Sequence, residues 1–86
     1  MKYNVMKELL ADLKKADEIE ELFKQKELIF SVLLKMSTIY SDFFNKNENQ
    51  KIQNYQALLI EREINFDSLK LIRLALVELI IRKINR

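Results

Sequence analysis

The sequence contains no cysteine, histidine, glycine, proline or tryptophan. The lack of cysteine excludes disulfide bonds, thiolate nucleophiles and thiolate metal sites. The lack of histidine removes the commonest general base of enzymes and the commonest metal ligand. The serines therefore have no histidine that would activate them in a catalytic triad. We expect a protein that is not an enzyme and that binds neither a cofactor nor a metal ion.

The lack of glycine and proline also restricts the backbone. Tight β-hairpin turns usually depend on these two residues, so a chain without them that is rich in leucine, lysine, glutamate and isoleucine favours helices. With 49% hydrophobic and 33% charged residues, the composition is that of a folded globular protein. A length of 86 residues suffices for one small domain with a modest core.

An excess of charge of one sign is missing as well, because 15 basic and 13 acidic residues leave a net charge of only +2. So small an excess does not indicate a nucleic-acid partner, and we expect none. The basic residues of the last helix point in several directions, and compensation of the helix dipole explains them better than nucleic-acid binding does.

Long hydrophobic runs are scarce too. The first fifteen residues, MKYNVMKELLADLKK, do not contain the apolar core of a signal peptide. The most apolar segment, residues 69–84, is interrupted by Lys70, Arg73 and Glu78 and is shorter than the ~20 apolar residues that cross a bilayer. We therefore expect a cytoplasmic protein.

The spacing of apolar residues predicts four helices. The first runs from about residue 2 to 15, and the second runs from a joint near residues 15–17 to about residue 45. The third follows a polar turn at residues 45–50 and reaches about residue 63, and the fourth occupies the rest. Short connections between helices favour an all-α, antiparallel four-helix bundle, which we expect to form a single domain over residues 1–86.

Each of the last three expected helices has a candidate N-terminal cap. An Asp or Asn followed three residues later by Glu or Gln can form a capping box, and apolar residues on both sides of a cap can form a hydrophobic staple. A helix start also explains the acidic run at residues 17–21 better than a metal or acid–base cluster does. The candidates are Asp17 with Glu20, Asn47 with Gln50, and Asp67 flanked by Phe66 and Leu71.

Five aromatic residues fall on one broad face of the second helix, which we predict to be its core face. A groove for a partner is the alternative interpretation. Lys26 lies on the same face, where its aliphatic stem can cover apolar surface while the ammonium group reaches water. The aromatic residues are Phe23, Phe30, Tyr40, Phe43 and Phe44.

The fourth helix shows two apolar seams. One seam suffices to dock a helix on a bundle, so the second indicates contacts on two sides. Either this helix is central and packs against the other three together, or the second seam meets another molecule, which includes a second copy of this chain. The first seam is Leu69, Ile72, Leu76, Leu79 and Ile80, and the second is Leu74, Val77, Ile81 and Ile84.

The second seam and the basic residues near it are the candidate site for a protein partner. Four large aliphatic side chains are enough to mark an interaction surface if they are exposed. The basic residues at the end of the same helix add positive charge. The candidate partner-binding residues are Leu74, Val77, Ile81, Ile84, Arg82, Lys83 and Arg86.

Four segments follow one another along the chain: VMKELLADLKK, then LIFSVLLKMSTIY and a polar turn, then QKIQNYQALL, and REINFDSLKLIRLALVEL. This layout resembles the immunity proteins that protect producers of pediocin-like (class IIa) bacteriocins, and the resemblance covers nearly the whole chain. That family consists of small cytoplasmic antiparallel four-helix bundles. In it, too, an apolar, polar, aromatic pattern such as INF often precedes the last helix.

The resemblance implies a non-catalytic protector of the producer cell. Its partner would be the sugar-uptake permease that serves as bacteriocin receptor, with the bacteriocin bound, and the protein would lie at the inner face of the membrane. A small helical export chaperone of the flagellar type and a phage- or plasmid-encoded inhibitor of a host protein are the alternatives. The neighbouring genes would separate the three hypotheses.

Overall fold

Apolar residues at three- and four-residue spacing form four α-helices, which pack as an antiparallel bundle in the computed structural model. The structure describes residues 2–61 and 63–85, apart from the side chains of residues 2 and 3. The predicted all-α four-helix bundle is confirmed. The elements are α1 (Lys2–Asp17), α2 (Leu22–Ser37), a short 3₁₀ helix (Ser41–Phe43), α3 (Lys46–Glu61) and α4 (Phe66–Ile84).

The core lies where α1, α2 and α4 meet. The helix α2 contacts each of the other three, and α1 also packs along α4, whereas α3 packs mainly on α2. Completely buried aliphatic side chains come from every helix, among them Leu13, Leu33, Leu59 and Leu76. Because α2 contacts every other helix, it is the central helix of the bundle.

The joint between α1 and α2 lies at residues 18–21, slightly later than predicted. Asp17 ends α1 instead of capping α2, and Glu21 occupies the N-cap of α2 without a capping hydrogen bond from its side chain. The joint is held by Gln25, whose buried amide nitrogen donates to the carbonyl oxygens of Ala16 (2.9 Å) and Ile19 (3.1 Å). Its side chain thus ties the last turn of α1 to the joint, and the Ala16 carbonyl accepts from the backbone N–H of Ile19 as well.

The second helix is shorter than predicted, because α2 ends at Ser37. The hydroxyls of Ser37 and Thr38 donate to the carbonyl oxygen of Leu34 and compete with continuation of the helix. The chain then forms the 3₁₀ helix. The side-chain amide of Asn49 in α3 stabilises it by donating hydrogen bonds to the carbonyl oxygens of Ser41 and Phe44.

The caps of α3 and α4 each lie two residues before the predicted positions. Asn45 and Glu48 form a reciprocal capping box at α3, in which each side chain accepts a 2.8 Å bond from the other residue's backbone N–H. Asn65 caps α4 by accepting from the backbone N–H of Ser68, so Asp67 belongs to the first turn of the helix. The staple predicted around Asp67 is therefore wrong.

Candidate functional site

The first apolar seam of α4 is core. Leu69, Leu76 and Ile80 are completely buried, Ile72 is 6% exposed, and Leu79 is partly buried. This seam packs on α1 and α2, whereas α3 makes few close contacts with α4. Of the two interpretations of this helix, the central position therefore holds for α1 and α2, whereas its contact with α3 is limited and includes the Lys83–Glu48 ion pair.

The second seam is divided between core and surface. Val77 and Ile84 are partly buried against the core cluster, whereas Leu74 and Ile81 are 45% and 43% exposed. Leu71 precedes Leu74 by one helical turn and is 69% exposed. We call Leu71, Leu74 and Ile81 the α4 stripe. It forms an apolar line on the outer side of the helix.

The basic residues of the candidate site have different surroundings. Arg82 is exposed and forms an ion pair with Glu78 on the same helix. Lys83 is only 7% exposed, forms an ion pair with Glu48 of α3 and lies 5.9 Å from the ring centre of Phe44. Lys83 is therefore turned inward, away from any partner at the surface. Arg86 lies outside the described residues.

The burial of Lys83 follows from a spacing that the sequence already contained. Lys83 comes three residues after Ile80 and seven after Leu76, so it continues the buried seam by one turn. The explanation of Lys83 by the helix dipole did not place it on the buried seam. A buried lysine is costly without a counter-charge, and the partly buried Glu48 provides it.

A shallow groove of about 410 Å³ lies between α2 and α3. Phe30 and Leu59 line it at depth, and Phe23 and Ile60 stand above it with 68% and 69% of their surface exposed. Lys26 also lines the groove and is only partly exposed, as expected for a lysine whose stem covers apolar surface. We call Phe23, Phe30, Leu59 and Ile60 the α2–α3 groove.

The aromatic residues of the second predicted helix therefore differ in burial. Phe44 is buried, and Phe30, Tyr40 and Phe43 are partly buried against the core. The core prediction is wrong for Phe23. This residue lies in the first turn of α2, at the rim of the α2–α3 groove, where 68% of its surface is exposed.

A second groove, of about 430 Å³, lies between α3 and α4. Tyr55 and Leu58 line it from α3, and Leu71 and Ile72 line it from α4. This groove exists because α3 leans on α2 and leaves the side of α4 open. Through Leu71 it adjoins the α4 stripe.

The acidic run forms no converging cluster. Asp17 is drawn to α4, where its carboxylate lies 3.1 Å from the guanidinium of Arg73, and Glu21 pairs with Lys24. Among residues 2–61 and 63–85, no group of three or more acidic side chains is placed to hold a metal ion. Within the same residues, no helix has the length and apolar content needed to cross a membrane.

No protein-family model matches the sequence, and neither a curated protein nor a solved structure matches it.

Proposed function

We propose that the protein is a non-catalytic interaction module that binds an amphipathic helix of a partner protein in the α2–α3 groove. The observation that carries this proposal is the joint exposure of Phe23 and Ile60, at 68% and 69%, above an apolar floor. Full burial of such a side chain is worth about 1.5–3 kcal/mol. Two of them side by side therefore provide a substantial part of a modest binding free energy.

The form of the groove suits a helical ligand. Two packed helices, α2 and α3, provide the walls, and Phe30 and Leu59 provide the floor. A helix that lies in such a groove inserts side chains spaced three or four residues apart. Lys26 and Glu27 on the α2 wall offer one charge of each sign, so we expect polar residues of both signs to flank the apolar face of the ligand.

For the biological role, we propose bacteriocin immunity. The support is the antiparallel four-helix bundle, which is the fold of the immunity proteins of pediocin-like bacteriocins, together with the sequence layout that resembles them. The partner would be the sugar-uptake permease with its bound bacteriocin. The module would act from the cytoplasm at the inner face of the membrane, and its binding would close the leak.

The test is protection of a bacteriocin-sensitive strain that expresses the protein. We expect the wild type to raise the inhibitory concentration of at least one member of a panel of pediocin-like bacteriocins. The double variant Phe23→Ala/Ile60→Ala should lose this protection and keep its helical circular-dichroism spectrum, because both side chains are exposed. A matched control is Ile39→Ala, which removes a side chain that is 71% exposed but does not line the groove.

Two results would contradict the proposal, one for the biological role and one for the binding surface. Unchanged killing across the whole panel with well-expressed wild type would reject the immunity role. Protection that survives the double variant would reject the α2–α3 groove as the binding surface. A pull-down of the detergent-solubilised permease, with and without bacteriocin, then measures the interaction directly. Wild type and Ile39→Ala should retain the permease, and the double variant should not.

A further inference from the structure

We propose that a second copy of this chain covers the α4 stripe, in an antiparallel two-fold pairing of α4 with α4 centred on Leu74. This surface is separate from the α2–α3 groove, so the pairing does not depend on the proposed function. The argument rests on the order of charges and apolar residues along the outer face of α4.

The outer face of α4 is arranged symmetrically about Leu74, with charges of opposite sign at matching distances. Leu71 and Val77 lie three residues before and after Leu74, and both are apolar. Lys70 and Glu78 lie four residues before and after it, and their charges are opposite. An antiparallel helix pair brings together residues at equal distances on either side of its centre. Each Lys70 would therefore lie opposite Glu78 of the second copy.

The outermost charges follow the same order but are offset by one residue. Asp67 lies seven residues before Leu74 and Arg82 lies eight residues after it, so Asp67 would lie opposite Ile81 of the second copy, next to Arg82. The charges along the outer face read minus, plus, minus, plus in chain order, from Asp67 through Lys70 and Glu78 to Arg82. Read backwards, the same series is plus, minus, plus, minus. It is therefore complementary to itself in the antiparallel direction, and the two-fold axis makes every contact occur twice.

Most side chains that form this face are accessible, and Val77 is partly buried against the core. Leu71 and Leu74 are 69% and 45% exposed, and Lys70 and Asp67 are exposed and make no ion pair with any described residue. Arg82 is paired with Glu78 of its own helix but is 64% exposed at its side chain, so it can also reach an acidic group beyond the helix. The pairing thus requires no rearrangement of the core.

The same charges disfavour other arrangements. A parallel pairing would place Lys70 opposite Lys70 and Glu78 opposite Glu78, and like charges in direct opposition are repulsive. A partner of uniform charge would meet repulsion at half of the positions. Leu58 of α3, which is 38% exposed beside Leu71 in the α3–α4 groove, extends the apolar surface at the edge of the pair. Because one helix pair buries little area, the dimer should be weak and reversible.

A charge-exchange experiment tests the pairing. Sedimentation velocity over a wide range of protein concentrations should show reversible dimerisation of the wild type. Lys70→Glu or Glu78→Lys alone opposes like charges twice and should reduce the association constant at least tenfold. An equimolar mixture of the two variants restores opposite charges and should recover association as a heterodimer. Charge reversals on α1, Lys14→Glu and Glu8→Lys, are matched controls that should leave dimerisation unchanged.

A cross-linking experiment tests the centre of the pair independently. The native chain has no cysteine, so Leu74→Cys places a single thiol on the proposed two-fold axis. Mild oxidation should convert this variant to a disulfide-linked dimer, because equivalent residues at the centre lie within disulfide range. Ile39→Cys, at a position that is 71% exposed and lies in the segment after α2 and not on α4, should cross-link much more slowly.

The proposal is wrong if the wild type remains monomeric throughout the concentration range. It is equally wrong if the mixture of Lys70→Glu and Glu78→Lys associates no better than either variant alone. A dimer that responds to neither charge reversal, or that cross-links through Ile39→Cys as fast as through Leu74→Cys, would place the interface elsewhere. None of these results bears on binding in the α2–α3 groove, which the protection assay measures.

Discussion

Lys83 is the least exposed charged residue among those that the structure describes. It enters the core at the last turn of α4, where it meets the carboxylate of Glu48 and the ring of Phe44. Glu48 is itself fixed, because its carboxylate accepts a hydrogen bond from the backbone N–H of Asn45 in the capping box of α3. One carboxylate thus starts α3 and neutralises a buried ammonium group. This geometry offsets the cost of removing both charges from water.

At this ion pair, the two partners should respond differently to substitution. Glu48→Gln keeps an oxygen that can cap α3 but leaves the ammonium of Lys83 buried without a counter-charge. We expect a loss of about 3 kcal/mol of unfolding free energy, the lower end of the range for breaking a buried pair, because the Glu48 side chain is 18% exposed. Urea denaturation of the purified variants measures this change.

The matched control is Lys83→Met, which replaces the ammonium group with an apolar group of similar length. Replacement of the buried cation by an apolar side chain should cost less, within about 1.5 kcal/mol, because the Glu48 carboxylate that remains is partly exposed and still accepts from the backbone N–H of Asn45. Equal destabilisation by Glu48→Gln and Lys83→Met would contradict this asymmetry and would show that packing, rather than charge pairing, governs the position.

At the scale of the helices, the sequence predicts their number and approximate positions but not their ends. Apolar spacing located all four helices, because three- and four-residue periodicity extends over many positions and tolerates single exceptions. The caps were predicted two residues too late at α3 and α4, because Asn45 and Asn47, or Asn65 and Asp67, are equally good capping residues by type. Only the packing of each helix selects between them.

Among the four α-helices, α3 has the fewest buried side chains. Only Ile52 and Leu59 are buried along its length, and it packs mainly on α2. By comparison, α4 buries five residues and contacts both α1 and α2. Opening of α3 therefore exposes less apolar surface than opening of any helix in the central group.

We expect the backbone amides of α3 to exchange with solvent through local opening, at a lower free energy than those of α1, α2 and α4. Native-state hydrogen exchange followed by NMR measures this difference residue by residue. Ile52→Ala should lower the opening free energy of α3 further and should also reduce global stability, by about 2–5 kcal/mol, because its side chain is completely buried. Uniform protection across all four helices would show that α3 opens only with the whole molecule.

At the scale of the whole molecule, the surfaces were harder to predict than the fold. A helical wheel shows that α4 has two apolar seams. The exposure of the second seam depends on where α3 packs, and the spacing of apolar residues does not predict that position. The structure leaves Leu74 and Ile81 accessible and partly covers Val77 and Ile84, so the four predicted residues do not share one environment. Phe23 shares a face with Phe30, so the sequence predicts both in the core, and the exposure of Phe23 depends on tertiary packing that residue spacing does not contain.

The central position of α2 also has a consequence for how the chain acquires its structure. Two of its principal contacts, with α1 and with α3, join helices that are consecutive in the sequence. Such neighbours meet after closure of only a short loop, which costs little entropy and favours rapid folding. The contact of α1 with α4 spans nearly the whole chain, and the ion pair between Asp17 and Arg73 belongs to it. During folding, α1 and α3 can therefore pack on α2 early. The packing of α1 against α4 then completes the native topology.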